Sequence, residues 1–241
     1  MMHISGITIC VDYSDLLEVS IDRWNGGLDE FLVVTSTMDT KTRALCYRRR
    51  IPCWSTDIFY ANGAKFNKGA ALTEAIVKNE FRKGAEWLLA FDADMVPSVD
   101  WRSIVEKSKP QKGLLYGAHR YVVNENATLR ECDLRQGGRD VWHDHPVGYF
   151  FLFHNQDLRI PDPIFETHWI HAGNYDHNFS KLWNGVHGCL DELGLVHLGE
   201  LRRNWLGRGM GREEELHSLL ASRKNFEDTR LERIVMAKEN T

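Results

Sequence analysis

The stretch Trp87-Leu88-Leu89-Ala90-Phe91-Asp92-Ala93-Asp94-Met95-Val96-Pro97 decides the fold. An unbroken apolar run passes straight into two carboxylates spaced i, i+2, and a proline follows. A short apolar run bounded by turn residues is what a strand buried on both faces looks like, and such strands belong to parallel sheets covered by helices. Where a strand ends the backbone turns, so Asp92 and Asp94 can both point into one cleft. Carboxylate oxygens are hard ligands that suit Mg²⁺ or Mn²⁺, above all when phosphate oxygens complete the shell. The plain alternative is a polar turn in which Asp caps backbone N–H groups.

Similar runs lie on either side. Ile4 to Val11 and Phe31 to Thr35 (FLVVT) read as strands upstream, and Leu114 to Ala118 as one downstream. Between them, Gly69 to Arg82 places Ala71, Leu72, Ala75, Ile76 and Asn79 at helical spacing. Strands alternating with helices predict an α/β fold with a mostly parallel central sheet flanked by helices. In such sheets ligands sit beyond the carboxyl ends of the strands, which makes the polar residues after each run candidates for a site. Gly148 to His154 reads as a further buried strand, and Val196 and Leu198 flank His197 in another short run. Arg212 to Lys238 is charged, with Leu216, Leu219 and Leu220 on one helical face and Leu231, Ile234 and Val235 on another. The expected organisation is one domain over residues 1–211 and a helical C-terminal extension over 212–241.

Composition excludes some functions. Across 241 residues, 30 Lys and Arg stand against 34 Asp and Glu, a formal net charge of −4, which is wrong for a generally basic nucleic-acid coating protein. No apolar run reaches the ~18 residues of a membrane span. The beginning, MMHISGITICVDYSD, lacks the basic start and apolar stretch of a signal peptide, so a cytoplasmic location is expected, the host cytoplasm if the source is viral. The five cysteines are scattered, which suits a reducing compartment, and without a CxxC pair they argue against a thiolate zinc site.

Two further segments carry chemistry. Asn62-Gly63-Ala64-Lys65-Phe66-Asn67-Lys68-Gly69 opens the helix before the carboxylate strand, and a helix N-terminus beside lysines favours an anion. Its spacing is not that of a Walker A loop. Far downstream, Leu201 to Arg212 holds Arg202, Arg203, Arg208 and Arg212 and no acid. Guanidinium forks match diphosphate oxygens, and Gly207, Gly209 and Gly211 would let the segment close on one. His197 could supply a third metal ligand, although a lone histidine is more often a hydrogen-bonded core residue.

In this order the pieces resemble the nucleotide-sugar-dependent glycosyltransferases of the GT-A fold, from about residue 5 to 210, including small bacteriophage-encoded members. Val33-Val34-Thr35-Ser36-Thr37-Met38-Asp39 resembles the nucleotide-contacting strand end. Asn67-Lys68-Gly69 resembles the segment before the DxD strand, Asp92-Ala93-Asp94 the metal-binding DxD, and His197 the late histidine that completes metal coordination. Members usually carry an Asp where Thr35 stands, so Asp12 and Tyr13 are the alternative positions for base contact or stacking. The resemblance implies a Mn²⁺- or Mg²⁺-dependent hexosyltransferase using a UDP-sugar. Asp94 and His197 would bind the metal, Asp92 the ribose or metal-bound water, and Arg202, Arg203 and Arg208 the diphosphate. An inverting enzyme also needs a base. Asp176 in Gly173-Asn174-Tyr175-Asp176-His177 is the first candidate and Asp144 in Trp142-His143-Asp144-His145 the second, while Asp176 could equally cap a helix. The stereochemistry stays open.

Candidate acceptors are hydroxymethylated pyrimidines in DNA, saccharides and proteins. Lys41, Arg43 and Arg48-Arg49-Arg50 could meet phosphates. Trp142, Tyr149, Trp169, Tyr175 and Trp183 could stack on a sugar or base. A monomer or small homo-oligomer without a membrane span is expected. The rivals are a zinc site among His143, His145, His154, His168, His171 and His177, a sugar-nucleotide-binding module without turnover, and a nucleotidyltransferase. The last normally has a Gly-rich basic loop where Val11-Asp12-Tyr13-Ser14-Asp15 is acidic.

Overall fold

A computed structural model describes residues 2–122, 146, 148–168, 172 and 175–198. In chain order the elements are β1 (Ile4–Ile9), α1 (Ser14–Asn25), β2 (Glu30–Thr35), α2 (Thr40–Arg49), β3 (Cys53–Ser55), a 3-10 turn at Ile58–Gly63, α3 (Lys68–Lys78), β4 (Trp87–Asp92), β5 (Met95–Pro97), α4 (Trp101–Ser108), β6 (Leu115–Val122), β7 (Phe150–His154), α5 (Tyr175–Lys181) and β8 (His187–His197). The extension over 212–241 lies outside the described residues.

The strands form one sheet in the order β3-β2-β1-β4-β7-β6-β8-β5. The first four run parallel, as the alternation of strands and helices predicts, and β6 runs parallel to β8. The sheet is mixed beyond that. β7 enters antiparallel between β4 and β6, and β5 closes antiparallel on β8. Nothing in the apolar run Phe150 to His154 records direction, since a strand buried on both faces has the same composition either way.

Alternation along the strands builds a core on each face. Trp87, Leu89 and Phe91 of β4 point to one side, where they meet Leu17, Ile21 and Trp24 of α1, Leu45 of α2, and Trp101 and Val105 of α4. Leu88 and Ala90 point to the other, with Ala71, Leu72, Ala75 and Ile76 of α3 and Phe179 of α5. Trp24 anchors the first layer. Its ring stacks on Phe91 at 4.1 Å, stands edge-on to Trp101 at 5.2 Å, and its Nε1 donates to the Met95 carbonyl at 2.8 Å. Helix α1 was not among the expected elements, although Leu16, Leu17, Ile21 and Trp24 carry the helical spacing.

The start of α3 depends on close approach. A Cβ on Gly69 would stand 2.2 Å from the Glu166 carbonyl oxygen, which is backbone and cannot swing aside. Gly69→Ala is therefore expected to destabilise the fold by about 1–3 kcal/mol, as a lower urea midpoint at unchanged m-value. Wild-type stability in that variant would show that the segment around Glu166 yields freely.

Candidate functional site

The carboxyl ends of β1, β2 and β4 lie in one row, with Ile9 opposite both Val34 and Asp92. Loops leaving that row bring Asp12 and Tyr13, Thr35 and Asp39, and Asp92 to Asp94 to one edge of the sheet. The β5–β8 pairing adds the late histidine: Met95 stands opposite His197, and Leu198 N donates to the Asp94 carbonyl at 2.9 Å. His197 Nε2 comes to 3.1 Å from Asp94 Oδ2, across 103 residues of sequence. Both side chains are buried.

Asp92 is partnered differently. The Lys68 ammonium, from the first residue of α3, ion-pairs with its Oδ1 and sits 5.1 Å over the Tyr175 ring. Burial alone would lower the Lys68 pKa, but the Asp92 carboxylate outweighs it and holds the ammonium well above the usual lysine range. Burial, with Asp94 nearby, pushes the Asp92 carboxyl upward against the pull of Lys68. Asn67 fixes this corner by accepting from Ala70 N at 2.9 Å and donating to the Thr167 carbonyl at 2.7 Å. At a helix N-terminus Lys68 is placed for an anionic ligand, but its charge is turned onto Asp92.

Asp39 faces inward. Its Oδ1 accepts from Thr42 N at 2.9 Å and caps α2, and its Oδ2 accepts from Thr35 Oγ1 at 3.0 Å and from Asp12 N at 2.7 Å. It ties the loop after β1 to the end of β2, and Asp12 takes a left-handed φ of 58° beside it. Asp39→Asn keeps the cap but turns an amide NH₂ toward Asp12 N–H. A loss of about 1 kcal/mol is expected in denaturant unfolding, the cost of one unsatisfied, partly buried donor.

Asp176 lies at the second position of α5, partly exposed. Its Oδ2 accepts from Gly148 N at 3.3 Å and its Oδ1 from His177 N at 2.8 Å. Tyr149, the next residue after Gly148, accepts from Asp92 N at 3.1 Å through its carbonyl, so Asp176 reaches the neighbourhood of the carboxylate pair. Asp144, Arg202, Arg203 and Arg208 lie outside the described residues.

Tyr149, Tyr175 and Trp183 are buried at 7%, 3% and 0% exposure, so their rings fill the core and offer no stacking platform. Trp142 and Trp169 lie outside the described residues. The histidines of the zinc rival do not gather among the described residues either. His154 packs edge-on against Trp87, and His168 pairs with Glu166.

The donors at the strand edge fit a hard divalent cation. Asp94 and His197 are buried side by side, and His197 Nδ1 is buried with no hydrogen-bond partner among the described residues; Asp92 is turned to Lys68 and does not close into a three-ligand group with them. No helix among the described residues is long and apolar enough to cross a membrane.

No family model matches the chain. No curated protein matches it. Solved structures do. Glucosyl-3-phosphoglycerate synthase from Mycobacterium tuberculosis, in complex with Mn²⁺, UDP and glucosyl-3-phosphoglycerate, matches with a TM-score of 0.51 and 16% identity over 97% of this chain and 80% of that one. The same enzyme with Mn²⁺ and UDP-glucose gives 0.51 and 14% over 90% and 74%. A crystal structure of a mycobacterial protein gives 0.52 and 15% over 86% and 70%. The likeness establishes a GT-A fold, an α/β sheet flanked by helices; the chemistry has to come from the residues.

Proposed function

We propose that the chain is a metal-dependent glycosyltransferase that takes a hexose from a UDP-sugar. The observation that carries this reading is the Asp94–His197 contact at the carboxyl edge of the sheet, beside Asp92. The β5–β8 pairing sets a carboxylate and an imidazole side by side in a buried place, a pair of donors that a divalent cation takes. The similar structures support it, since they hold Mn²⁺ with UDP or UDP-glucose.

Asp94 and His197 would hold Mn²⁺ or Mg²⁺, with Asp92 alongside. Once bound, the ion supplies positive charge against the diphosphate that leaves. The rest falls to the chain. Lys68 holds Asp92 in place and balances its charge. Asp39 sets the path of the Asp12–Tyr13 and Thr35 loops, where the nucleoside would lie. Arg202, Arg203 and Arg208 would meet the diphosphate oxygens. Asp176, held by two backbone N–H groups, would take the acceptor hydroxyl proton in an inverting reaction.

Thermal shift and hydrolysis with a panel of sugar nucleotides test the donor. Stabilisation and turnover by UDP-sugars only in the presence of Mn²⁺ are expected. Binding without turnover would leave a sugar-nucleotide-binding module, and no response to any nucleotide would remove the reading.

For the acceptor, α2 and its C-cap expose Lys41, Arg43, Arg48 and Arg50 to solvent, cations that suit phosphate oxygens. DNA containing hydroxymethylated pyrimidine is therefore run beside saccharides and proteins. Transfer to DNA that weakens with salt and with Arg43→Ala would support the nucleic-acid acceptor. Transfer to a saccharide or protein alone would replace it.

A further inference from the structure

We infer that the chain carries a second metal site, for a borderline-soft divalent ion such as Zn²⁺, formed by His119, Cys189 and Asp191. One ligand atom from each lies within 4.8 Å of the others. His119 Nε2 stands 3.2 Å from Asp191 Oδ1 and 3.6 Å from Cys189 Sγ.

The sheet creates this cluster. β6 and β8 run parallel with Gly117 opposite Cys189 and Ala118 opposite Leu190, but His119 stands opposite Gly194. The extra residues of β8 bulge out at that step, and a bulge re-aims side chains. It brings Asp191 back over the imidazole of the neighbouring strand. The His119 side chain is 5% exposed and that of Asp191 76%, so the cluster opens to solvent on the carboxylate side. Cys189 and His119 are 70 residues apart, which is why the absence of a CxxC pair says nothing about them.

The geometry separates a metal site from a catalytic relay. A thiol–imidazole–carboxylate relay places the thiol on one ring nitrogen and the carboxylate on the other. Here sulfur and carboxylate both approach Nε2, which carries at most one proton and cannot give a linear hydrogen bond to each. A cation among the three would take one atom from each as a ligand. One thiolate, one carboxylate and a neutral imidazole balance a 2+ charge, leave a fourth position open, and form the mixed S, N, O set that zinc accepts. Binding releases the thiol proton to solvent, so affinity should fall as pH is lowered. The site is distinct from the Asp94–His197 pair. His119 and His197 are separated by three steps of β8, with Val122 opposite His197, or about 10 Å at the usual strand rise.

Cobalt(II) is the probe, because only a thiolate ligand gives a near-ultraviolet sulfur-to-cobalt charge-transfer band. The full chain, stripped with chelator and kept reduced, is titrated with Co²⁺. A charge-transfer band that saturates with Co²⁺ and is displaced by Zn²⁺ is expected. Cys189→Ser should abolish it, while Asp94→Asn and Cys53→Ser should keep it. Asp191→Asn, at an exposed position, should weaken Co²⁺ binding by more than the roughly 10–100-fold that loss of an outer-shell partner costs. No band in wild type, a band that survives Cys189→Ser, or unchanged affinity in Asp191→Asn would each overturn the site. Because the Asp94→Asn protein is assayed in parallel, failure here is distinguishable from failure of the donor-site reading.

Discussion

Asp94→Asn is expected to cut Mn²⁺-dependent UDP-sugar turnover roughly 10²–10³-fold, the scale on which one electrostatic contributor to a transition state is felt. The substitution keeps shape and volume but removes the charge that faces His197 at 3.1 Å. Stability should hold, because a buried carboxylate beside Asp92 is lost and two like charges no longer share the site. The loss should therefore appear in kcat and in the Mn²⁺ concentration needed for half-maximal rate, with high Mn²⁺ restoring part of it. His197→Gln should fall by a similar factor, and the double variant should fall little further, since ligands of one ion act as a unit. Turnover within about threefold of wild type in either variant would mean that the pair is a structural hydrogen bond and that any cation binds elsewhere.

How much of this was legible depends on the kind of information. Three strands of the parallel half, β1, β2 and β4, could be read to within two residues at each end, because a strand covered on both faces must be apolar along its length, and Phe31 to Thr35 and Trp87 to Phe91 are; β3, three residues at the sheet edge, could not. Asp92 and Asp94 could be placed at a strand end for the same reason. The meeting of Asp94 with His197 was open to resemblance but not to local pattern, since it depends on β5, a three-residue strand with no periodicity to detect.

Polar residues were harder to read. A carboxylate just after a strand reads as facing a site, yet Asp39 spends both oxygens on backbone and hydroxyl donors of three segments. Lys68 at a helix N-terminus reads as an anion ligand, yet it turns inward to Asp92. Aromatics near charged residues read as stacking platforms, yet Tyr149, Tyr175 and Trp183 complete the two cores. In each case the side chain has two competing uses, and the choice is made by neighbours far along the chain. The three-residue mismatch in β8 that gathers His119, Cys189 and Asp191 has no signature at all in a sequence read one segment at a time.

Lys68→Met is expected to cause the largest loss of stability among single changes at this edge. Methionine fills the space of the lysine stem but leaves the Asp92 carboxylate next to Asp94 without its cation, and removes the ammonium from over the Tyr175 ring. Breaking a buried ion pair by deleting one partner costs about 3–5 kcal/mol. Asp92 retains 34% exposure, so water takes up part of the charge and the lower end of that range applies. Urea unfolding of the metal-free protein measures it. The double variant Lys68→Met/Asp92→Asn separates pairing from packing: if the cost is the stranded charge, the second substitution recovers most of the loss; if the lysine stem is what matters, it recovers none. Mn²⁺ gives an independent check. A cation held by Asp94 and His197 would also screen the unpaired Asp92, so Mn²⁺ should raise the Tm of Lys68→Met more than that of wild type. An equal rise in both proteins would show that the ion and the lysine do not share the charge of Asp92, and would detach Asp92 from the metal site.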